Sequence, residues 1–164
     1  MRKWCFAAAA LVWLEGPALA TDPNGDWLVA DKTAVIRLTP CGPALCGNIA
    51  WTKSAPGTDR NNPDPAKRSR SVIGLPILLD MKPAGPNRWE GEIYNANDGK
   101  TYTGRIALAN ENVLRIEGCV LGFLCGGENW SRAKCEEAPS RRTSASSTLP
   151  PPSPAVTSCR EAAP

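Results

Sequence analysis

The sequence predicts an all-β protein, a small antiparallel up-and-down barrel of about eight strands. Three observations point there. Helix signals are faint, while short runs of alternating apolar and polar residues recur from residue 22 to residue 137. Nearly all of these runs are separated by tight-turn sequences rich in Gly, Pro and Asn. The first and last runs each carry a tryptophan motif that suits neighbouring strands. Period-two alternation with one apolar face indicates antiparallel sheet, and closing that sheet removes its exposed edges. A two-sheet sandwich fits the same alternation.

Taken in order, "DWLVAD" is the first short strand. "TAVIRLT" sets Ala34, Ile36 and Leu38 against Thr33, Val35, Arg37 and Thr39. The turn "CGPA" leads to "LCGNIAW", with Leu45, Gly47, Ile49 and Trp51 in one phase. A long connection runs from about Thr52 to Arg70. "GLPILLDM", the turn "KPAGPN" and "RWEGEIY" follow, the last with Trp89, Gly91 and Ile93 in phase. "NANDG" is a hairpin turn, because Asp-Gly accepts the positive φ of a tight connection. "KTYTGRIAL" aligns Tyr102, Gly104, Ile106 and Leu108, and "VLRIEGCV" aligns Leu114, Ile116, Gly118 and Val120. "GENWSRA" is the last strand. Gly91, Gly104 and Gly118 fall in the apolar phase of consecutive strands, where glycine marks either a corner or space beside a ligand.

The ends bound the domain. Residues 1–20 have the build of a secretory signal: basic Arg2 and Lys3, an apolar stretch over 4–14, and the small-residue site Ala18-Leu19-Ala20. That apolar stretch is too short to cross a bilayer, so the expected mature protein is exported, periplasmic or secreted, with no transmembrane segment. Residues 138–164 are Pro- and Ser-rich, lack aromatic residues and are expected to form a disordered tail. The barrel domain is thus expected over residues 21–137.

Without Arg2, Lys3 and Glu15 the chain keeps 17 basic and 15 acidic residues, a balance that argues against nucleic-acid binding. There is no histidine, which removes Ser-His-Asp and Cys-His catalysis and His-ligated metals. No CxxC pair is present either, so no metal and no cofactor is expected. The six cysteines after Cys5 suit an oxidising compartment. They allow 15 connectivities, of which proximity favours Cys41 with Cys46 and Cys119 with Cys125, leaving Cys135 for Cys159.

Gly25-Asp26-Trp27 opens the first strand and Trp130-Ser131-Arg132 closes the last. In a closed barrel those strands are neighbours, and Arg132 is expected across the Trp27 indole. This resembles the lipocalin and wider calycin arrangement, which implies a structural role in barrel closure for Gly25, Trp27 and Arg132. A longer resemblance runs through "CGPALCGNIAW", "DRNNPDPAKRSRSVIGLPIL", "RWEGEIYNANDGKTYTGRIAL" and "LRIEGCVLGFLCGGENWSR". These stretches are similar to the bacterial exported family known as domain of unknown function 2147. The resemblance implies a lipocalin-like barrel in the envelope, with no catalytic residues to transfer.

"DRNNPDPAKRSR", residues 59–70, is the segment with most polar chemistry. As an EF-hand loop it fails, because Pro63 and Asp64 occupy positions five and six and Arg70 occupies position twelve. Asp59 and Asp64 offer a carboxylate pair, but Arg68 or Arg70 beside them would hold an acid ionised, which disfavours acid–base use. Strand order sets this loop at one end of the barrel with the Asn97-Asp98-Gly99 turn and the Cys119–Cys125 turn. The opposite end gathers Cys41–Cys46 and the Trp27/Arg132 closure. The expected function is non-enzymatic: binding of a small, partly apolar or amphipathic ligand. Trp89, Ile93, Tyr102 and Ile106 are expected to line the interior, with Asn61, Asn62, Arg68 and Arg70 at its polar end. The alternatives are a rigid surface crossover for the loop and, for the protein, a filled barrel acting as an envelope interaction module.

Overall fold

A computed structural model describes residues 22–121, 123–137 and 156–162. The signal-like residues 1–20 lie outside the described residues, as do residues 138–155 of the expected tail. The strands are β1 (Gly25–Leu28), β2 (Ala34–Cys41), β3 (Ala44–Thr52), β4 (Pro76–Gly85), β5 (Arg88–Asn95), β6 (Lys100–Asn110), β7 (Val113–Val120), β8 (Leu124–Glu137) and β9 (Val156–Glu161). Each pairs with the next, and β1 also pairs antiparallel with β8, with Trp27 opposite Arg132. That pairing closes β1 to β8 into an up-and-down barrel. The sandwich is excluded.

Three local differences from the sequence reading have physical causes. The β4–β5 turn is shorter than "KPAGPN", because β4 runs through Gly85 and Asn87 takes the positive φ of 53°. Strand β4 also carries a bulge, with a register shift between Leu79 and Lys82 and Asp80 at φ 49°. The bulge resets the side-chain phase, so Leu78 and Met81, an odd spacing apart, are both fully buried. A second shift between Val35 and Ile36 pairs Val35 with Trp51 but Ile36 with Ile49. Trp51 therefore leaves the inner phase expected for it.

The inner core joins Trp27, Ile36, Leu38, Leu45, Leu78, Met81, Ile106, Leu108, Leu114, Ile116 and Trp130. A second cluster of Leu28, Val35 and Ala133, with Ala50, Trp51, Cys135 and Cys159 against it, holds residues of the opposite phase. This cluster corrects the reading of 138–164 as one disordered tail. Residues 156–161 add a strand to β8, Cys135 is opposite Cys159, and the two are joined by a disulfide. The apolar surface that β9 helps to cover, together with the covalent link, supplies the ordering energy that its composition alone does not suggest. Cys41–Cys46 and Cys119–Cys125 are the other two bridges.

The glycines of the apolar phase form a row. Gly91 faces Gly104, Gly104 faces Gly118, and Gly118 faces Gly126 across four strands. A side chain at Gly91 would run into the Leu79 and Asp80 carbonyls, and one at Gly104 into the Ile93 side chain. Close approach of neighbours, rather than vacant space, explains these two.

Candidate functional site

The two ends of the barrel differ. At one, Trp27 and Trp130 are buried, and the Trp27 indole donates to the Pro23 carbonyl at 2.8 Å. The Arg132 guanidinium lies 4.3 Å from the Trp27 ring centre. It also donates to the backbone carbonyls of Asn24 (2.9 Å), Asp22 (2.8 Å) and Glu111 (2.5 Å). Gly25 sits at φ 118°, and an added Cβ would come within 3.1 Å of Arg132. All three residues singled out for closure thus meet at one place.

A cavity of about 540 Å³ opens among the β1–β2 turn, the long β3–β4 connection and the β5–β6 turn. Its apolar wall is made by Ile36, Ile49, Ile77 and Ile93, which come from four consecutive strands, β2 to β5, and belong to or pack against the inner core. Tyr94, Asn95 and Asn97 bring polar atoms to it, and Asp31 and Glu128 bring carboxylates. Glu128 is opposite Ile116, in the inward phase of β8, and accepts the Trp130 indole N–H at 2.5 Å. Asp31 accepts from the Thr33 hydroxyl at 2.6 Å and from its N–H at 3.0 Å, which lowers its pKa.

The 59–70 segment is beside this cavity, but its polar side chains are spent on holding the segment in place. Asp59 is fully buried, at 0 % exposure. Its carboxylate accepts from the Tyr94 hydroxyl (2.7 Å), the Asn62 amide (2.7 Å) and Arg70 (2.8 Å). Burial alone would raise its pKa; the bonds from Tyr94, Asn62 and Arg70 together outweigh that and lower it. Burial and the Asp59 charge raise the Tyr94 pKa, so the phenol remains a donor. Arg68 donates to the Asn62 carbonyl at 2.7 Å, and Asn61 donates to the Asn97 carbonyl at 2.8 Å. Asp64 caps the single-turn helix Pro65–Lys67 by accepting from the Ala66 N–H at 3.0 Å. Gly99, at φ 71°, is where the Asn61 backbone presses on the β5–β6 turn, leaving no room for a side chain.

Of the eight residues expected to contact a ligand, Ile93 lines the cavity. Ile106 is in the inner core and Trp89 packs against it. The Tyr102 hydroxyl donates to Asp98, which raises the Tyr102 pKa and lowers that of Asp98. Asn61, Asn62, Arg68 and Arg70 fasten the loop, and the connection reaches the cavity through Ser54, Ala55, Gly57 and Val72 instead. Asp59 and Asp64 are both committed to loop structure and do not face each other across the cavity. Sequence reasoning missed Tyr94, whose phase on β5 is opposite to Ile93 and which is buried beneath the loop. The residues of three connections gathered at one end were the available signal for the cavity.

Among the described residues, no group of three His, Cys, Asp or Glu side chains is placed to hold a metal ion. None of the helices there is long and apolar enough to cross a membrane. No curated protein matches the chain significantly. One similar solved structure is the protein HP1028 of Helicobacter pylori, described as belonging to the lipocalin family. It is 22 % identical over 68 % of this chain and 83 % of that one, with a TM-score of 0.63. That likeness establishes a lipocalin-like fold. Residues 25–132 match the family model described as uncharacterized protein conserved in bacteria. With barrel, closure motif and match in agreement over the same stretch, the chain belongs to that bacterial family, DUF2147.

Proposed function

We propose that this protein is an exported, non-catalytic carrier that holds one small, partly apolar molecule in the cavity at the open end of its barrel. The observation that carries the reading is the cavity itself. Its volume of about 540 Å³ falls within the range of small-molecule sites, roughly 300–1,000 Å³. Four isoleucines offer an apolar surface, and Asp31, Asn95, Asn97 and Glu128 are among the polar residues of the lining. The lining contains two carboxylates and no Lys or Arg, a composition suited to a neutral or cationic head group that donates hydrogen bonds. Three disulfides and a signal-like N-terminus support residence in the periplasm or outside the cell.

The test is native mass spectrometry of the mature protein purified from its own envelope. A reproducible bound molecule is expected, and Ala34→Trp, which projects an indole into the cavity, should abolish it while leaving the circular dichroism spectrum unchanged. Recovery of ligand-free protein alone, together with no uptake of a fluorescent amphiphile, would count against the carrier reading. The interaction-module reading draws support from a different feature, the apolar tip of the β7–β8 hairpin.

A further inference from the structure

The five large apolar residues exposed among the described residues are Ile73, Val120, Leu121, Phe123 and Leu124. All five belong to connections, or strand ends beside them, at the open end of the barrel. Four sit together at the tip of the β7–β8 hairpin, with exposures of 47 % (Val120), 79 % (Leu121), 71 % (Phe123) and 60 % (Leu124). The Cys119–Cys125 disulfide joins the two strands directly behind them. A soluble domain has no reason of folding to present such a cluster to water, and a contiguous apolar patch of this kind marks a contact surface.

The charge around the tip selects the contact. Cys119 is opposite Thr103 on β6, so the tip continues toward the start of β6 at Lys100 and the β5–β6 turn. Asn61 binds the 59–70 loop to that same turn. The whole β3–β4 connection, the β5–β6 turn and the first residue of β6 together carry Lys53, Arg60, Lys67, Arg68, Arg70 and Lys100 against three acids, Asp59, Asp64 and Asp98. Asp59 pairs with Arg70 and Asp64 with Lys67, and the set keeps a net charge of +3. A projecting apolar tip beside a cationic face combines the two signals that stable attachment to a bilayer surface requires: partitioning of apolar side chains and attraction to anionic lipid. A protein groove would satisfy the apolar tip but leaves the cationic face unexplained.

We propose that the open end of the barrel docks on an anionic lipid surface, with Leu121, Phe123 and Leu124 inserted at the acyl boundary and the 59–70 loop against the head groups. The disulfide keeps the tip formed, so its side chains are presented without an ordering step. This surface does not depend on the cavity being filled, and its failure would leave the carrier reading untouched.

The test uses the mature, oxidised chain and vesicle co-sedimentation. Binding is expected to vesicles of equal parts phosphatidylglycerol and phosphatidylcholine, and to fall about ten-fold or more on phosphatidylcholine alone. The Leu121→Ser/Phe123→Ser double variant should lose about ten-fold or more in binding to the anionic vesicles. Both positions are exposed, so the fold should survive, as circular dichroism would verify. Phe123→Trp should show a blue-shifted emission quenched by brominated lipid. Absence of binding to anionic vesicles, equal binding by the double variant, or a Phe123-dependent dimer in place of vesicle binding would each overturn the proposal.

Discussion

The Tyr94 hydroxyl donates to the Asp59 carboxylate at 2.7 Å, linking two buried residues 35 positions apart. One belongs to a strand of the barrel and the other to its longest connection. That bond, with the Asn61 bond to the β5–β6 turn, ties a segment of prolines, amides and charges to the barrel beside the cavity. Asp59 is out of water but not out of partners, since Tyr94, Asn62 and Arg70 all donate to it.

Tyr94→Phe should therefore destabilise the protein by about 1.5–3 kcal/mol, the usual worth of a hydrogen bond to a charged group. The ring still fills its place, so the loss isolates the hydroxyl. Urea unfolding should show a lower midpoint with an unchanged slope. A loss confined to the loop would appear instead as faster amide exchange at residues 59–70 without a change in the global midpoint.

Asp59 also sets an acid limit. Its folded pKa lies below the ordinary carboxylate value of about 3.9, so its contribution is present in full above that pH. The contribution is lost as pH falls through the lowered folded value. The melting temperature of the parent should drop below about pH 4. Asp59→Asn should start from a lower melting temperature at neutral pH and fall less steeply, because Asp31, Asp64 and Asp98 titrate in both proteins. Parallel curves for parent and variant would show that folding does not shift the Asp59 pKa.

The barrel, its closure and its three disulfides were legible because they rest on local pattern: alternation, tight turns and cysteines close in sequence or left over. Two things were not. The bulges at Val35/Ile36 and in β4 shift side-chain phase without a sequence mark, so Trp51 left the inner phase and joined Val35 in an outer cluster that alternation does not reveal. The roles of Asn61, Asn62, Arg68 and Arg70 depend on which carbonyl or carboxylate lies within reach. A polar loop bonding to itself and one bonding to a ligand have the same composition.

At the closed end, Arg132→Lys should cost about 2–4 kcal/mol. A lysine keeps a charge over Trp27, but one ammonium cannot reproduce three bonds that fan out to the carbonyls of Asp22, Asn24 and Glu111. Chemical denaturation followed by tryptophan emission reads the change. A loss under about 0.5 kcal/mol would mean that the cation–π contact alone carries the interaction.

The Cys135–Cys159 bridge should matter more than the Cys41–Cys46 bridge. Loop closure removes more entropy from the unfolded chain when the cysteines are farther apart, and these separations are 24 and 5 residues. The chain-entropy estimate is about 3.5 kcal/mol for the first and about 2 kcal/mol for the second. The first bridge also fastens β9 beside Leu28, Val35 and Trp51. The Cys135→Ser/Cys159→Ser variant should accordingly melt lower than Cys41→Ser/Cys46→Ser and bind more of an apolar dye such as anilinonaphthalene sulfonate. Removal of residues 138–164 should raise dye binding in the same way, because the same apolar surface is uncovered. Equal dye binding by the parent and by both forms lacking the bridge would show that β9 does not protect that cluster, and would return the C-terminal segment to the role of an unattached tail.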